Sequence, residues 1–81
     1  MKYSFTERFA EHLESFSGPI QNKFWKQLNF LLHDLRHPSL QAKKYDETRG
    51  IWQARVDQKI RFYFLIEDDT YVLLNIKRHS D

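Results

Sequence analysis

The spacing of the apolar residues changes once along this chain, and that change dictates the class of fold. Up to residue 35 they recur every three or four positions; from Ile51 onward they alternate. A stripe with a period near 3.6 buries one side of a helix, whereas a period of two buries one face of a sheet. A chain of 81 residues has room for a single core, so the two halves must bury their apolar sides against each other. The expected architecture is α+β, one domain over residues 1–81. A short N-terminal strand and an antiparallel helix hairpin pack on one face of a three-to-four-stranded, mainly antiparallel sheet.

Local signals place the elements. Lys2-Tyr3-Ser4-Phe5 alternates and suits a short edge strand. Thr6 is a favourable helix N-cap, with Glu7 in the first turn, where it meets the positive end of the helix dipole. Phe9, Leu13 and Phe16 follow at helical spacing, and Ser17-Gly18-Pro19 ends that helix. The second helix carries Ile20, Phe24, Leu28, Leu31, Leu32 and Leu35 on one face. It stops at His37-Pro38, because the residue before proline avoids helical geometry. Trp25 and Phe30 lie off that stripe and suit either burial against the sheet or a partner surface. Residues 39–50 read as a polar connector. Segments 51–57, 60–67 and 70–78 are rich in branched and aromatic residues, and Asp57-Gln58-Lys59 and Glu67-Asp68-Asp69 separate them. That is the pattern of a three-stranded meander.

Composition removes several functions. With no cysteine, disulfide scaffolds and thiolate zinc modules are excluded. Gly18 and Gly50, the only glycines, cannot build a phosphate-binding loop. No apolar run approaches the roughly 18 residues of a membrane span, and no signal-peptide pattern opens the chain. The expectation is a soluble domain of a reducing compartment, with no membrane partner and no cofactor. His33 and His37 are spaced i, i+4, but with Pro38 directly behind them and no further ligand cluster they read as surface histidines at a helix end rather than a metal site.

Strand parity sorts the second half into two faces. Trp52, Ala54 and Val56, then Ile60, Phe62, Phe64 and Ile66, then Val72, Leu74 and Ile76 form the apolar side. The opposite side holds Gln53, Arg55 and Asp57, then Arg61, Tyr63, Leu65 and Glu67, then Tyr71, Leu73, Asn75, Lys77 and His79, and so gathers Arg55, Arg61, Tyr63, Asn75, Lys77 and His79 on the open face. Charge is distributed to match. Residues 1–34 carry four basic and four acidic groups; residues 35–61 carry seven and three, a net of +4; residues 62–81 carry two and four. The overall +2 therefore hides a basic region bordering the open face, which suits a polyanion.

Guanidinium groups beside a tyrosine, a lysine and a histidine suit phosphodiester chemistry. RNA carries its own nucleophile, the 2′-hydroxyl. Cleavage then needs a base for its proton, cations for the charge that builds on phosphorus oxygens, and an acid for the leaving 5′-oxygen. Arginine fits the cationic role because its planar fork matches two phosphate oxygens. Histidine fits the proton transfers because its pKa lies near neutrality. The same residues also suit an ordinary solvated sheet face.

Specific stretches go further. His37-Pro38-Ser39-Leu40, Lys43-Lys44-Tyr45, Gly50-Ile51-Trp52-Gln53-Ala54-Arg55-Val56, Ile60-Arg61-Phe62-Tyr63-Phe64 and Leu74-Asn75-Ile76-Lys77-Arg78-His79, in this order of elements, resemble the RelE/ParE superfamily of bacterial toxins. The likeness is strongest to its YoeB-like branch and spans nearly the whole chain. The resemblance implies a cytoplasmic bacterial toxin of a type II toxin–antitoxin system. Such a protein cleaves mRNA without metal, usually on the ribosome, and is neutralised by a cognate antitoxin. It places Arg61 as the transition-state arginine, His79 as the C-terminal catalytic histidine, and Arg55 at a basic position on the preceding strand; Tyr63, by its place on the open face, is the geometric substitute for the general base. Lys43, Lys44, Arg49, Lys77 and Arg78 are the expected RNA-binding residues. There are departures. RelE itself has two lysines on the first meander strand, where this chain has Gln53 and Arg55. The branch carries a glutamate before the hairpin, to which Glu47 is the nearest acid. Many members follow the histidine with tyrosine, where this chain has Ser80-Asp81. The alternative is a ParE-like toxin that inhibits DNA gyrase by protein contact; a third possibility is a member that has lost activity and only binds a partner.

Overall fold

A computed structural model describes residues 1–79, and its sheet has five strands rather than three or four. β1 (Lys2–Phe5) precedes α1 (Glu7–Glu14) and α2 (Gly18–His33). A 3-10 turn, Pro38–Leu40, leads into β2 (Lys43–Asp46), β3 (Ile51–Arg55), β4 (Ile60–Glu67) and β5 (Thr70–Arg78). The order across the sheet is β1-β5-β4-β3-β2. Neighbours are antiparallel except β1, which runs parallel to β5. The additional strand is β2, inside the segment read as a connector. It is largely exposed, so no apolar alternation marks it. It forms by pairing with β3, Lys43 opposite Gln53 and Lys44 opposite Trp52. Gly50 supplies the positive φ of 71° in the turn between them. Among the described residues no helix is long and apolar enough to cross a membrane.

The helix starts follow local chemistry. Thr6 Oγ1 accepts from the Phe9 N–H at 3.1 Å and donates to the Leu74 carbonyl at 3.1 Å, so one side chain caps α1 and ties it to β5. The second helix ends sooner than His37-Pro38 suggests. Asp34 leaves it with φ −160°, its carboxylate accepting from the Arg36 N–H at 2.9 Å and its carbonyl from the His37 N–H at 3.0 Å. Leu35 therefore reaches the core from a turn, not from the helix stripe.

The core lies between the helices and one face of the sheet. Phe9, Leu13, Phe24, Leu28 and Leu31 meet Ala54, Phe62, Phe64, Leu73 and Ile76. Phe24 sits 5.1 Å from Phe9 and edge-on to Phe62 at 5.3 Å. Such aromatic pairs add about 0.5–1.5 kcal/mol beyond the area they bury.

Parity holds through β3 and the first half of β4, then fails in β5. Tyr63 faces Asn75 but Phe64 faces Leu73, so Leu74 is an extra residue in the ladder. Beyond this bulge the faces exchange. Tyr71 and Leu73, expected outside, are buried, while Val72 and Leu74, expected in the core, are half-buried. Ile66, also expected in the core, is exposed.

The core also contains a polar clamp that no periodicity reveals. Gln27 of α2 is buried; its Nε2 donates to the carbonyls of Ser39 (3.0 Å) and Arg55 (2.9 Å), and its Oε1 accepts from the Ser39 hydroxyl (3.2 Å). One side chain thus joins the helix, the 3-10 turn and the end of β3. Gln27→Leu would leave these groups unmet and should cost about 1–3 kcal/mol. Urea unfolding is expected to show a lower midpoint with an unchanged slope; an unaltered midpoint would show that the clamp contributes nothing.

Candidate functional site

The pairing of the three central strands produces an unusual row of charge. Arg55 on β3 lies directly opposite Arg61 on β4, and Arg61 lies directly opposite Lys77 on β5. Like charges in directly opposed positions cost roughly 0.2–1 kcal/mol per pair, and the chain supplies little relief. Neither Arg55 nor Lys77 has a salt bridge among the described residues. Asp57, expected on this face, lies in the β3–β4 turn. Its carboxylate accepts from the Lys59 and Ile60 N–H groups at 2.9 Å and pairs with Lys23 at 3.9 Å.

Arg55 and Arg61 line an open cavity of about 730 Å³, together with Lys43, Tyr45, Gln53 and His79. No aspartate or glutamate is among its lining residues. Arg61 is buried, and its Nη1 donates to the carbonyls of Asp57 (2.8 Å), Gln58 (3.1 Å) and Ile60 (3.3 Å). These bonds hold the guanidinium in place. Its Nε and Nη2 make no hydrogen bond among the described residues and remain available to the cavity side. Arg55 is positioned through its backbone by the Gln27 clamp.

His79 lies just past the end of β5, where its backbone N–H donates to the Lys59 carbonyl at 2.6 Å. Its side chain borders this cavity and a smaller one of about 400 Å³ lined by Tyr45, Tyr63, Lys77 and Arg78. Lys77 Nζ sits over the Tyr63 ring at 5.3 Å from its centroid. The structure therefore brings Arg55, Arg61, Tyr63, Lys77, His79 and Lys43 to one surface.

Of the other expected residues, Lys44 lines the larger cavity and Arg78 the smaller, each also resting on an aromatic ring, and the rest lie elsewhere. Lys44 pairs across from Trp52 and rests over its indole at 5.2 Å. Arg49 sits in the β2–β3 turn, 3.7 Å from the Asp46 carboxylate. Arg78 lies over the Phe16 ring at 5.8 Å. Asn75 shares a 2.5 Å hydrogen bond with His12 of α1. Glu47 is in the β2–β3 turn and does not line the cavity. Ser80 and Asp81 lie outside the described residues. His33 and His37 turn to different partners: His33 Nδ1 contacts the Asn29 carbonyl at 2.8 Å, and His37 stacks on Phe30 at 3.8 Å.

Two cavity residues carried no role in the sequence reading. Tyr45 is exposed and edge-on to Tyr63 at 4.9 Å. A register shift between Lys44 and Asp46 accompanies it, and an irregular edge strand leaves no periodic signal. Gln53 was placed on the open face by parity, yet its amide gave no reason to single it out.

This arrangement can bind an anion and shape its surroundings. The fold around it is that of the RelE, YoeB and ParE toxins. A YoeB/ParE toxin from Agrobacterium tumefaciens matches with a TM-score of 0.81 at 13% identity, covering 99% of this chain and 100% of that one. The YoeB–YefM complex from Staphylococcus aureus gives 0.81 at 14%, covering 99% and 98%. The RelE–RelB complex from Pyrococcus horikoshii OT3 gives 0.79 at 15%, covering 95% and 92%. At such identities the likeness establishes the fold. No family model matches the sequence, and no curated protein matches it.

Burial raises the pKa of Tyr63, the nearby Tyr45 phenol adds to the rise, and Arg61 opposes it. Burial likewise raises Tyr71, with Asp34 adding to it. The raised pKa favours Tyr63 as a neutral phenol, able to donate a hydrogen bond and poorly suited to the role of base. The sign for stability follows. Unfolded tyrosine ionises near pH 10, so above that pH the folded chain holds protons that the unfolded chain has lost. The contribution is intact below about pH 10 and is lost as pH rises through the raised values. The urea midpoint should fall above pH 10, and less steeply in Tyr63→Phe; parallel curves would contradict this.

Proposed function

We propose that this chain is the toxin of a type II toxin–antitoxin pair and that it cleaves mRNA on the ribosome. The observation that carries the reading is the Arg55–Arg61–Lys77 row, a line of like charge along two cavities that share Tyr45 and His79 and are lined by no carboxylate. A phosphodiester supplies the missing counter-charge. Arg55 and Arg61 hold the non-bridging oxygens and stabilise the charge that grows there during reaction, while Lys43 and Lys77 engage flanking phosphates. The 2′-hydroxyl loses its proton and attacks phosphorus; the bond to the 5′-oxygen breaks, and that oxygen gains a proton. His79 serves one of these transfers, and Tyr63 donates a hydrogen bond. The nucleophile comes from the substrate and the cations from the chain, so the step draws on no metal.

Two of the structural relatives were crystallised with YefM and RelB, which supports an antitoxin as the partner of this chain as well. The second reading, gyrase inhibition by protein contact, has its own observation. Tyr3, Phe5 and Trp25 form an exposed aromatic cluster, with Trp25 5.6 Å from Phe5 and 6.3 Å from Tyr3.

Induction of the chain in bacteria separates the two. Rapid mRNA cleavage is expected, falling roughly 100-fold or more in Arg61→Ala and in His79→Ala. Purified activity should persist in EDTA. Intact mRNA with altered DNA supercoiling would overturn the nuclease reading, and loss of cleavage on chelation would overturn the metal-free step.

A further inference from the structure

Gln53 occupies the cavity floor between Lys43 on β2 and Tyr63 on β4. It is only 8% exposed. Among the described residues its amide makes no hydrogen bond, although buried polar side chains are nearly always paired. No buried side-chain nitrogen or oxygen among them is sealed away without a partner, so both amide atoms are reached from the cavity. The site therefore holds a donor and an acceptor side by side, both unmet among the described residues.

A phosphate does not satisfy that pair, because it offers acceptors only. The edge of a nucleobase does, since it presents a donor beside an acceptor. The surroundings suit one. Tyr45 lines the same cavity and is 56% exposed, with its ring braced edge-on against Tyr63. An exposed ring so placed is a stacking platform for a single-stranded base. Gln53 and Arg55 are two residues apart on one face, about 7 Å along the strand, a step comparable to that between a nucleotide's phosphate and its base. A phosphate at Arg55 and Arg61 thus brings a base within reach of the amide.

We propose that Gln53 is a specificity-determining residue that reads the edge of a base stacked on Tyr45, and that this base is adenine. The choice follows from the edges. Adenine offers the complement of a primary amide on both exposed edges, N6–H with N1 and N6–H with N7. Guanine shows two acceptors on its N7 edge, and each pyrimidine has a single suitable edge. The inference rests on the RNA reading above and names the feature of the substrate that the site selects.

The test uses the full chain and 2′-O-methyl pentanucleotides of the form U-U-N-U-U, which cannot be cleaved, with binding followed by fluorescence anisotropy at low salt. The A-centred oligomer is expected to bind roughly five- to a hundred-fold more tightly than the others. Gln53→Leu should abolish that preference while all four oligomers still bind with strong salt dependence. Gln53→Glu, nearly identical in shape, should turn the preference away from adenine. Tyr45→Leu should weaken all four by at least about five-fold. Equal salt-dependent binding of the four by the unaltered chain would overturn base reading and leave the RNA reading standing. Retention of adenine preference in a folded Gln53→Leu, or an unchanged one in Gln53→Glu, would also overturn it. Failure of every oligomer to bind would remove both readings together.

Discussion

Strand β4 must satisfy two surroundings at once, and the rest of the molecule is arranged around that demand. Phe62 and Phe64 are fully buried against the helices, while Arg61 and Tyr63, one residue away from each, face the open side. Pairing on both edges leaves β4 no freedom to slip, because a shift of one residue would exchange the two sets. The apolar half of this arrangement stabilises the fold. The polar half fixes Arg61 opposite Arg55 and Lys77 whether or not an anion is present. The charge row thus follows directly from the register that buries the phenylalanines.

Supporting contacts hold that row still. Arg61 is anchored through Nη1 to the turn carbonyls, and Gln27 fixes the carbonyl of Arg55 from the helix side. The Asp57 carboxylate is held by turn amides and Lys23, away from the arginines. A guanidinium held in advance, as that of Arg61 is, loses little freedom when an oxyanion arrives, which is the property that favours a charge-building transition state over a loosely bound ground state. In the functional reading advanced here, Tyr45 and Gln53 add recognition of a base to that recognition of a phosphate.

Much of this was legible from periodicity. The change from period 3.6 to period two, the Thr6 cap and the open-face positions of Arg55, Arg61, Tyr63, Lys77 and His79 all follow from residue spacing. The failures have physical causes. β2 has no buried side to give it an alternating pattern, so its strand nature depends on its partner. The β5 bulge is hidden because Leu73 and Leu74 are both apolar and either can face the core. Lys44 and Arg78 do line the cavities, but each also rests over a ring, Trp52 or Phe16, that the spacing does not reveal. Gln27 and Gln53 carry no periodic signal; their importance lies in which carbonyls or cavities their amides meet.

The central claim is that the Arg55–Arg61–Lys77 row is a phosphate-binding line. It is tested most directly by the salt dependence of binding to a short single-stranded RNA. Each phosphate contact on a single strand should contribute about 0.7 to the slope of log affinity against log salt concentration. The account predicts a slope of about 2 or steeper for the unaltered chain, reduced by about 0.7 in Arg55→Gln and again in the double variant with Lys77→Gln. A slope that these substitutions leave unchanged would contradict it.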